Sequence, residues 1–227
     1  MMTECVEKQK NLSDFAASSK SWQKQARGQL IVFSAPSGCG KDTVLRHLLK
    51  KNDNIHLSIS ATTRSPRDGE QDGKDYFFIT KSAFEDGIKD GRMLEWAEYC
   101  HEYYGTPRDV VDYYRNMGKD VILEIEVKGA LMIKQNIPDA VFVFLMPPSL
   151  QELKARLINR GTESMEKIEK RLKKGVQEME QAGEYTYVVF NYDAEKAAEL
   201  LECIITSEKC KYTNNTYAIG KVMDNNA

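Results

Sequence analysis

The chain has 227 residues, with 32 Lys plus Arg against 34 Asp plus Glu, and is 41% hydrophobic and 29% charged. That length suits one sizeable domain with insertions, and a formal net charge of −2 gives no bulk attraction to nucleic acid or an anionic membrane surface. No apolar run approaches the roughly 20 residues of a membrane helix, and five scattered cysteines without a C-x-x-C pair argue against a disulfide framework or zinc site, so a soluble, cytoplasmic protein with no nucleic-acid or membrane partner is expected.

Residues 1–27 are polar and weakly periodic and read as a mobile extension. Order is expected from Gln29 to Phe33, a short apolar run that reads as a buried strand. A helix follows over Lys41 to Lys51, with Val44, Leu45, Leu48 and Leu49 on its apolar side. Leu57 to Ala61 reads as a second strand. From Thr62 to Gly105 the chain is rich in turns, aromatics and charge, and the capping box of Ser82 and Glu85 is expected to open a short helix there. Asp120 to Glu126 alternates as a strand, and a helix of a turn or two is expected after Gly129. Ala140 to Leu145 reads as a strand, and Ser149 with Glu152 caps the next helix. Ile168, Leu172, Val176 and Met179 recur at helical spacing within 163–181. A last strand over Tyr187 to Phe190 and a last helix over Ala194 to Thr206 complete the alternation, and the Asn-rich tail from Lys211 is expected to fray. Strands alternating with helices indicate a parallel α/β sheet covered on both faces.

The run Ala35, Pro36, Ser37, Gly38, Cys39, Gly40, Lys41, Asp42, Thr43 sits between the first strand and first helix. In that setting the two glycines let backbone N–H groups converge on an anion, the helix adds its positive end, and Lys41 supplies a cation. The usual P-loop pattern has Gly where Ala35 stands and Ser or Thr where Asp42 stands. Mg²⁺ takes oxygen ligands, so either Asp42 or Thr43 is a candidate to meet it. Further on, Arg64 and Arg67 flank a proline and can clasp an oxyanion with forked donors, with Tyr76 as a neutral donor nearby.

Taken together, A-P-S-G-C-G-K, S-I-S-A-T-T-R-S-P-R-D-G-E, D-G-K-D-Y-F-F, L-E-W-A-E-Y, Y-Y-G-T-P, L-E-I-E-V-K-G-A, M-P-P-S and R-G-T-E-S, in this order, resemble the guanylate kinase family. The resemblance covers about residues 29–206. It implies a P-loop NTPase three-layer α/β sandwich within 28–206, with a GMP-binding insertion near 62–107, a lid near 150–175 and a tail over 207–227. It further implies transfer of the γ-phosphoryl group of ATP to GMP or dGMP, in purine nucleotide metabolism, with Mg²⁺ accompanying ATP. By matching positions, Arg64, Arg67, Tyr76 and Tyr104 would hold the GMP phosphate, steadied by Glu70. Ser60, Glu95 and Thr106 would face the guanine, with Glu126 nearby. Guanine presents N1–H and an exocyclic amine, a donor pair that one carboxylate accepts and adenine lacks. Arg156, Arg160 and Arg171 would approach the ATP phosphates, where fixed cations stabilise phosphoryl transfer. Asn191 sits at a position near adenine, although Tyr192 interrupts the family's Asn-Asp-Asp run. Lys128 replaces a common glutamine and has no physical account. Two other readings are a guanylate-kinase-like module that binds protein partners without catalysis, and a kinase of similar fold acting on a sugar phosphate such as ribose bisphosphate.

Overall fold

The structure, a computed structural model, describes residues 27–159 and 164–224. Residues 1–26 of the expected extension, and Arg160, lie outside the described residues. In chain order the elements are β1 (Leu30–Ser34), α1 (Lys41–Lys51), β2 (Ile55–Leu57), β3 (Ala61–Thr62), β4 (Phe77–Phe78), α2 (Lys81–Lys89), β5 (Met93–Tyr99), β6 (Glu102–Pro107) and α3 (Arg108–Asn116). They continue with β7 (Asp120–Glu124), α4 (Val127–Asn136), β8 (Val141–Met146), α5 (Leu150–Asn159), α6 (Met165–Glu180), β9 (Tyr187–Phe190), α7 (Ala194–Lys209) and α8 (Tyr212–Asp224). Two compact units result: one comprises the segment ending at Gly28 with His56–Val121, the other Gln29–Ile55 with Ile122–Ala227.

A five-stranded sheet in the order β2-β7-β1-β8-β9 lies mainly in the second unit. Ile31 to Ser34 run parallel to Val141 to Phe144, and Val143 to Met146 run parallel to Tyr187 to Phe190. Every residue of β1 is buried, as expected of a strand covered on both faces. Val44, Leu45 and Leu48 form the buried stripe of α1, which packs on α7, whose own buried residues include Ala198 and Leu201. Leu153 and Leu157 of α5 meet Ile168 and Leu172 of α6 in a separate small core.

The first unit holds a four-stranded sheet, β4-β3-β6-β5. Ala61, Phe84 and Met93 form its buried centre, with Phe77, Trp96 and Tyr103 packed around them. Gly105 is required by space, because a Cβ there would lie 2.6 Å from the Glu95 carbonyl oxygen and 3.0 Å from the rings and side chains of Phe84 and Trp96.

Several elements differ from the sequence reading. The single strand expected over Leu57 to Ala61 is two short strands in two different sheets, because the buried Ile55 anchors β2 earlier and Ala61 pairs with Gly105 of β6. Helix α2 begins at Lys81 with Thr80 as its cap, the Thr80 hydroxyl accepting the Ala83 N–H at 3.2 Å, so Ser82 and Glu85 are not the box. Helix α4 begins at Val127 and encloses Gly129, which is buried. The tail is a helix, not frayed: Asn214 Nδ2 donates to the Glu208 carbonyl at 2.7 Å and Asn215 Nδ2 to that of Lys209 at 2.6 Å. The asparagines thus satisfy carbonyls that the end of α7 leaves without helical partners. The cap expected at Ser149 is present, its Oγ accepting the Glu152 N–H at 3.1 Å; α6 lies within the expected 163–181, and α7 runs on past the expected Thr206 to Lys209.

Candidate active site

In the second unit the chain between β1 and α1 forms a loop around a cleft of about 190 Å³, lined by Ala35 to Asp42 with Ile125, Glu126 and Glu178. Gly38 and Gly40 both have φ of 91°, a left-handed backbone that glycine adopts without strain. Gly40 is the residue before α1 and has no side chain to cap it, so the first N–H groups of that helix stay available to an anion. A Cβ at Gly40 would also come within 2.9 Å of Asn191 Nδ2. Asp42 is exposed in the first turn, where a carboxylate is favoured by the helix dipole. Thr43 is partly buried beside it.

Side chains from elsewhere in the unit fasten this loop. Asn191, 3% exposed, donates Nδ2 to the Cys39 carbonyl at 2.7 Å. Arg156 of α5 donates Nη1 to the same carbonyl at 3.0 Å and Nη2 to the Asn191 carbonyl at 3.2 Å, while Nε binds Glu152 at 2.9 Å. Arg171 of α6 donates to Ser37 Oγ at 2.7 Å. Burial pushes the Cys39 thiol up to about 12, against the opposing charges of Arg156 and Lys41, so it is an inert packing group.

Three acidic residues at or beside the cleft sit where sequence reasoning did not place them. Glu124, at the end of β7, pairs with Lys41 at 2.9 Å. Glu126, expected beside guanine, lies in this second unit and binds Lys174 through both carboxylate oxygens at 3.0 and 3.1 Å. Glu178 of α6 lies 3.4 Å from Lys174. Burial raises the Glu178 carboxyl, against the pull of Lys174. The alternating acids of L-E-I-E were the available signal for Glu124; nothing in the charge-rich α6 marked Glu178.

In the first unit a second constellation assembles. Arg64 and Glu70 meet through paired bonds of 2.8 and 3.0 Å, and Glu70 also accepts the Arg67 N–H at 2.8 Å. Arg64 holds the Glu70 carboxyl down to about 2, with help from the Arg67 N–H. The Arg64 guanidinium lies 5.4 Å from the Tyr76 ring centre, and Tyr76 is edge-on to Tyr104 at 6.1 Å. Among the described residues the buried Arg64 Nε has no hydrogen-bond partner, a donor left over for an anion. Arg67 is exposed. On the facing strands of β5 and β6, Glu95 and Thr106 are register partners, and Thr106 Oγ1 donates to Glu95 Oε1 at 2.6 Å. Burial raises the Glu95 carboxyl, and Thr106 opposes the rise. Ser60 is partly buried, its carbonyl accepting the Phe77 N–H at 2.9 Å.

Thus Arg64, Arg67, Glu70, Tyr76, Tyr104, Glu95, Thr106 and Ser60 fall in one unit, and the phosphate loop with Arg156, Arg171, Asn191 and Glu126 in the other. Among the described residues no group of three His, Cys, Asp or Glu is gathered for a metal, and no helix is long and apolar enough to cross a membrane.

Comparison with known proteins gives a consistent result. The family model described as guanylate kinase matches residues 27–208. A guanylate kinase of Lactococcus lactis is 52% identical over 182 residues, 80% of this chain and 89% of the relative. One from Desulfitobacterium hafniense is 46% identical over 199 residues, 88% of this chain and 100% of the relative. A crystal structure of guanylate kinase from Anaplasma phagocytophilum superposes with a TM-score of 0.66 at 32% identity, covering 83% of this chain and 89% of that one.

Proposed function

The chain belongs to the guanylate kinase family, and from that premise we infer that it is an ATP:GMP phosphotransferase, moving the γ-phosphoryl group of ATP to the α-phosphate of GMP or dGMP. The observation that carries the acceptor assignment is Glu95, buried at 6% exposure with one oxygen occupied by Thr106. Such a carboxylate needs donors to stay ionised. Guanine's N1–H and amine supply them, whereas adenine would leave the charge desolvated and unpaired. Ser60 and Thr106 complete the base side. Arg64, with Arg67, Tyr76 and Tyr104, takes the GMP phosphate, and Glu70 fixes Arg64 so that its fork is oriented before the ligand arrives.

The loop N–H groups and Lys41 hold the phosphates of ATP. Arg156 and Arg171 brace the loop and add positive charge, and Arg160 belongs to the same group by its place in the motif. The acceptor phosphate is already ionised, so it attacks the γ-phosphorus directly. The terminal P–O bond to ADP breaks as the new one forms, and no general base is needed. What the protein supplies is alignment and charge stabilisation. The donor set suits Mg²⁺: Asp42 and Glu124 carboxylates and the Thr43 hydroxyl are hard oxygens bordering the loop. Mg²⁺ bound with ATP would neutralise part of the phosphate charge. The product places the enzyme in purine nucleotide metabolism, and four free thiols among the described residues suit the reducing cytoplasm.

Lys41→Ala is expected to lower turnover by at least about a hundredfold, as loss of a charge-stabilising donor does, with the melting temperature held within a few degrees. Phosphorus NMR of ATP, Mg²⁺ and GMP should show ADP and GDP forming in equal amounts with wild type and not with the variant. Near-normal GDP formation by Lys41→Ala would overturn the assignment.

A further inference from the structure

Besides Asp42 of the loop itself, two carboxylates from elsewhere in the unit line the phosphate-loop cleft, Glu126 and Glu178. Their sign is wrong for a cleft that holds a polyphosphate, since like charges repel, and more strongly where solvent screens them less. Solvent screens Glu126, whose side chain is 74% exposed, but little reaches Glu178, at 12%. One cation serves both. Lys174 Nζ lies 3.0 Å from Glu126 Oε1, 3.1 Å from its Oε2 and 3.4 Å from Glu178 Oε1.

The backbone next to Lys174 holds this ammonium at the cleft. Gly175 is buried in α6, and a Cβ built on it would lie 3.5 Å from Pro36 Cβ of the loop. One turn earlier Arg171 binds Ser37 at 2.7 Å. Residues 171, 174 and 178 therefore share the helix face turned to the loop. Lys170 differs: it pairs with Glu166 where both side chains are 76% exposed, a surface pair worth little.

We propose that Lys174 is a charge-balancing residue of the ATP site, neutralising Glu126 and Glu178 so that the cleft accepts the phosphates. This rests on reading the cleft as the ATP-phosphate site. Lys174 acts through the two carboxylates, so it is a positioning and electrostatic residue whose loss weakens nucleotide binding more than it slows the chemical step.

The test compares wild type, Lys174→Met, Lys174→Arg, Glu178→Gln and the double variant Lys174→Met/Glu178→Gln, reading ATP and ADP affinity by calorimetry and steady-state KM and kcat. At low salt Lys174→Met should weaken ATP binding roughly tenfold and raise KM for ATP in proportion, with a smaller fall in kcat. High salt should shrink the deficit, since surface charge is screened. Lys174→Arg should stay near wild type. The double variant should regain most of the lost affinity, because removing the Glu178 charge removes much of the need for Lys174. A Lys174→Met protein that binds ATP as wild type does, a Lys174→Arg protein as weak as Lys174→Met, or a double variant no better than the single one would each overturn the proposal. A wild-type protein that binds ATP but does not phosphorylate GMP would instead sink the functional reading, and the affinity comparison would still decide the role of Lys174.

Discussion

At Glu95 burial raises the carboxyl group, and at His56 it lowers the imidazole to about 4, with Lys119 adding to the depression. Glu95 has Thr106 as a partner. His56 stacks on Tyr114 at 3.4 Å, and among the described residues its Nε2 has no hydrogen-bond partner. The consequence is a pH dependence of stability. An unfolded histidine titrates near 6.5, so between pH 6.5 and 4 the unfolded chain binds a proton that the folded chain does not. Stability is full above that window and falls as the pH drops through it, by about 1–2 kcal/mol once partial exposure is discounted. Melting temperatures at pH 7 and pH 5 measure this, and His56→Phe, which keeps the stack, should flatten the difference. An undiminished slope in that variant would assign the acid sensitivity elsewhere. At this scale the sequence was most legible where residue type and spacing together encode chemistry, as for Lys41 in its glycine loop, whereas the place of Glu70 beside Arg64 came from the resemblance. Glu124 and Glu178 were not legible, because only tertiary packing separates them from neighbouring surface acids.

Among the described elements, the hairpin between β5 and β6 shows backbone strain at non-glycine residues. Its two turn residues, Cys100 and His101, have φ of 53° and 65°, values that suit Asn and Gly in a two-residue turn. Replacing Cys100-His101 by Asn-Gly is expected to stabilise the protein by about 1 kcal/mol. Urea denaturation reads this as a higher midpoint with an unchanged slope; a lower midpoint would mean that these side chains contribute more than the strain costs. Elements with long apolar periodicity, such as α6 and α7, were readable nearly to their ends. The short strands β3 and β4 were not, since two residues carry no periodicity and their pairing is set by distant partners on β6 and β3. Helix α8 was missed for a related reason: its asparagines have low helix propensity, and what favours the helix is their bonds to the end of α7.

On the scale of the whole molecule, each unit has its own sheet, its own buried centre and its own charged constellation. The chain leaves the second unit after Ile55 and rejoins it at Ile122, so the residues proposed to read the base are carried by an excursion from the unit that builds the phosphate loop. In the proposed function that arrangement separates donor binding from acceptor choice: the loop would be indifferent to what accepts the phosphoryl group, and discrimination would rest on Glu95 and its neighbours. The central claim is therefore tested by ADP release from ATP and Mg²⁺ with GMP, AMP, CMP, UMP or ribose bisphosphate as acceptor, for wild type and Glu95→Gln. Wild type should turn over GMP at least about a hundredfold faster than any other acceptor, and Glu95→Gln should lose most of that preference through GMP alone, as expected when a site loses its partner for a substrate's donors. Equal turnover of several acceptors by wild type, or a Glu95→Gln protein that keeps the full preference for GMP, would contradict the account.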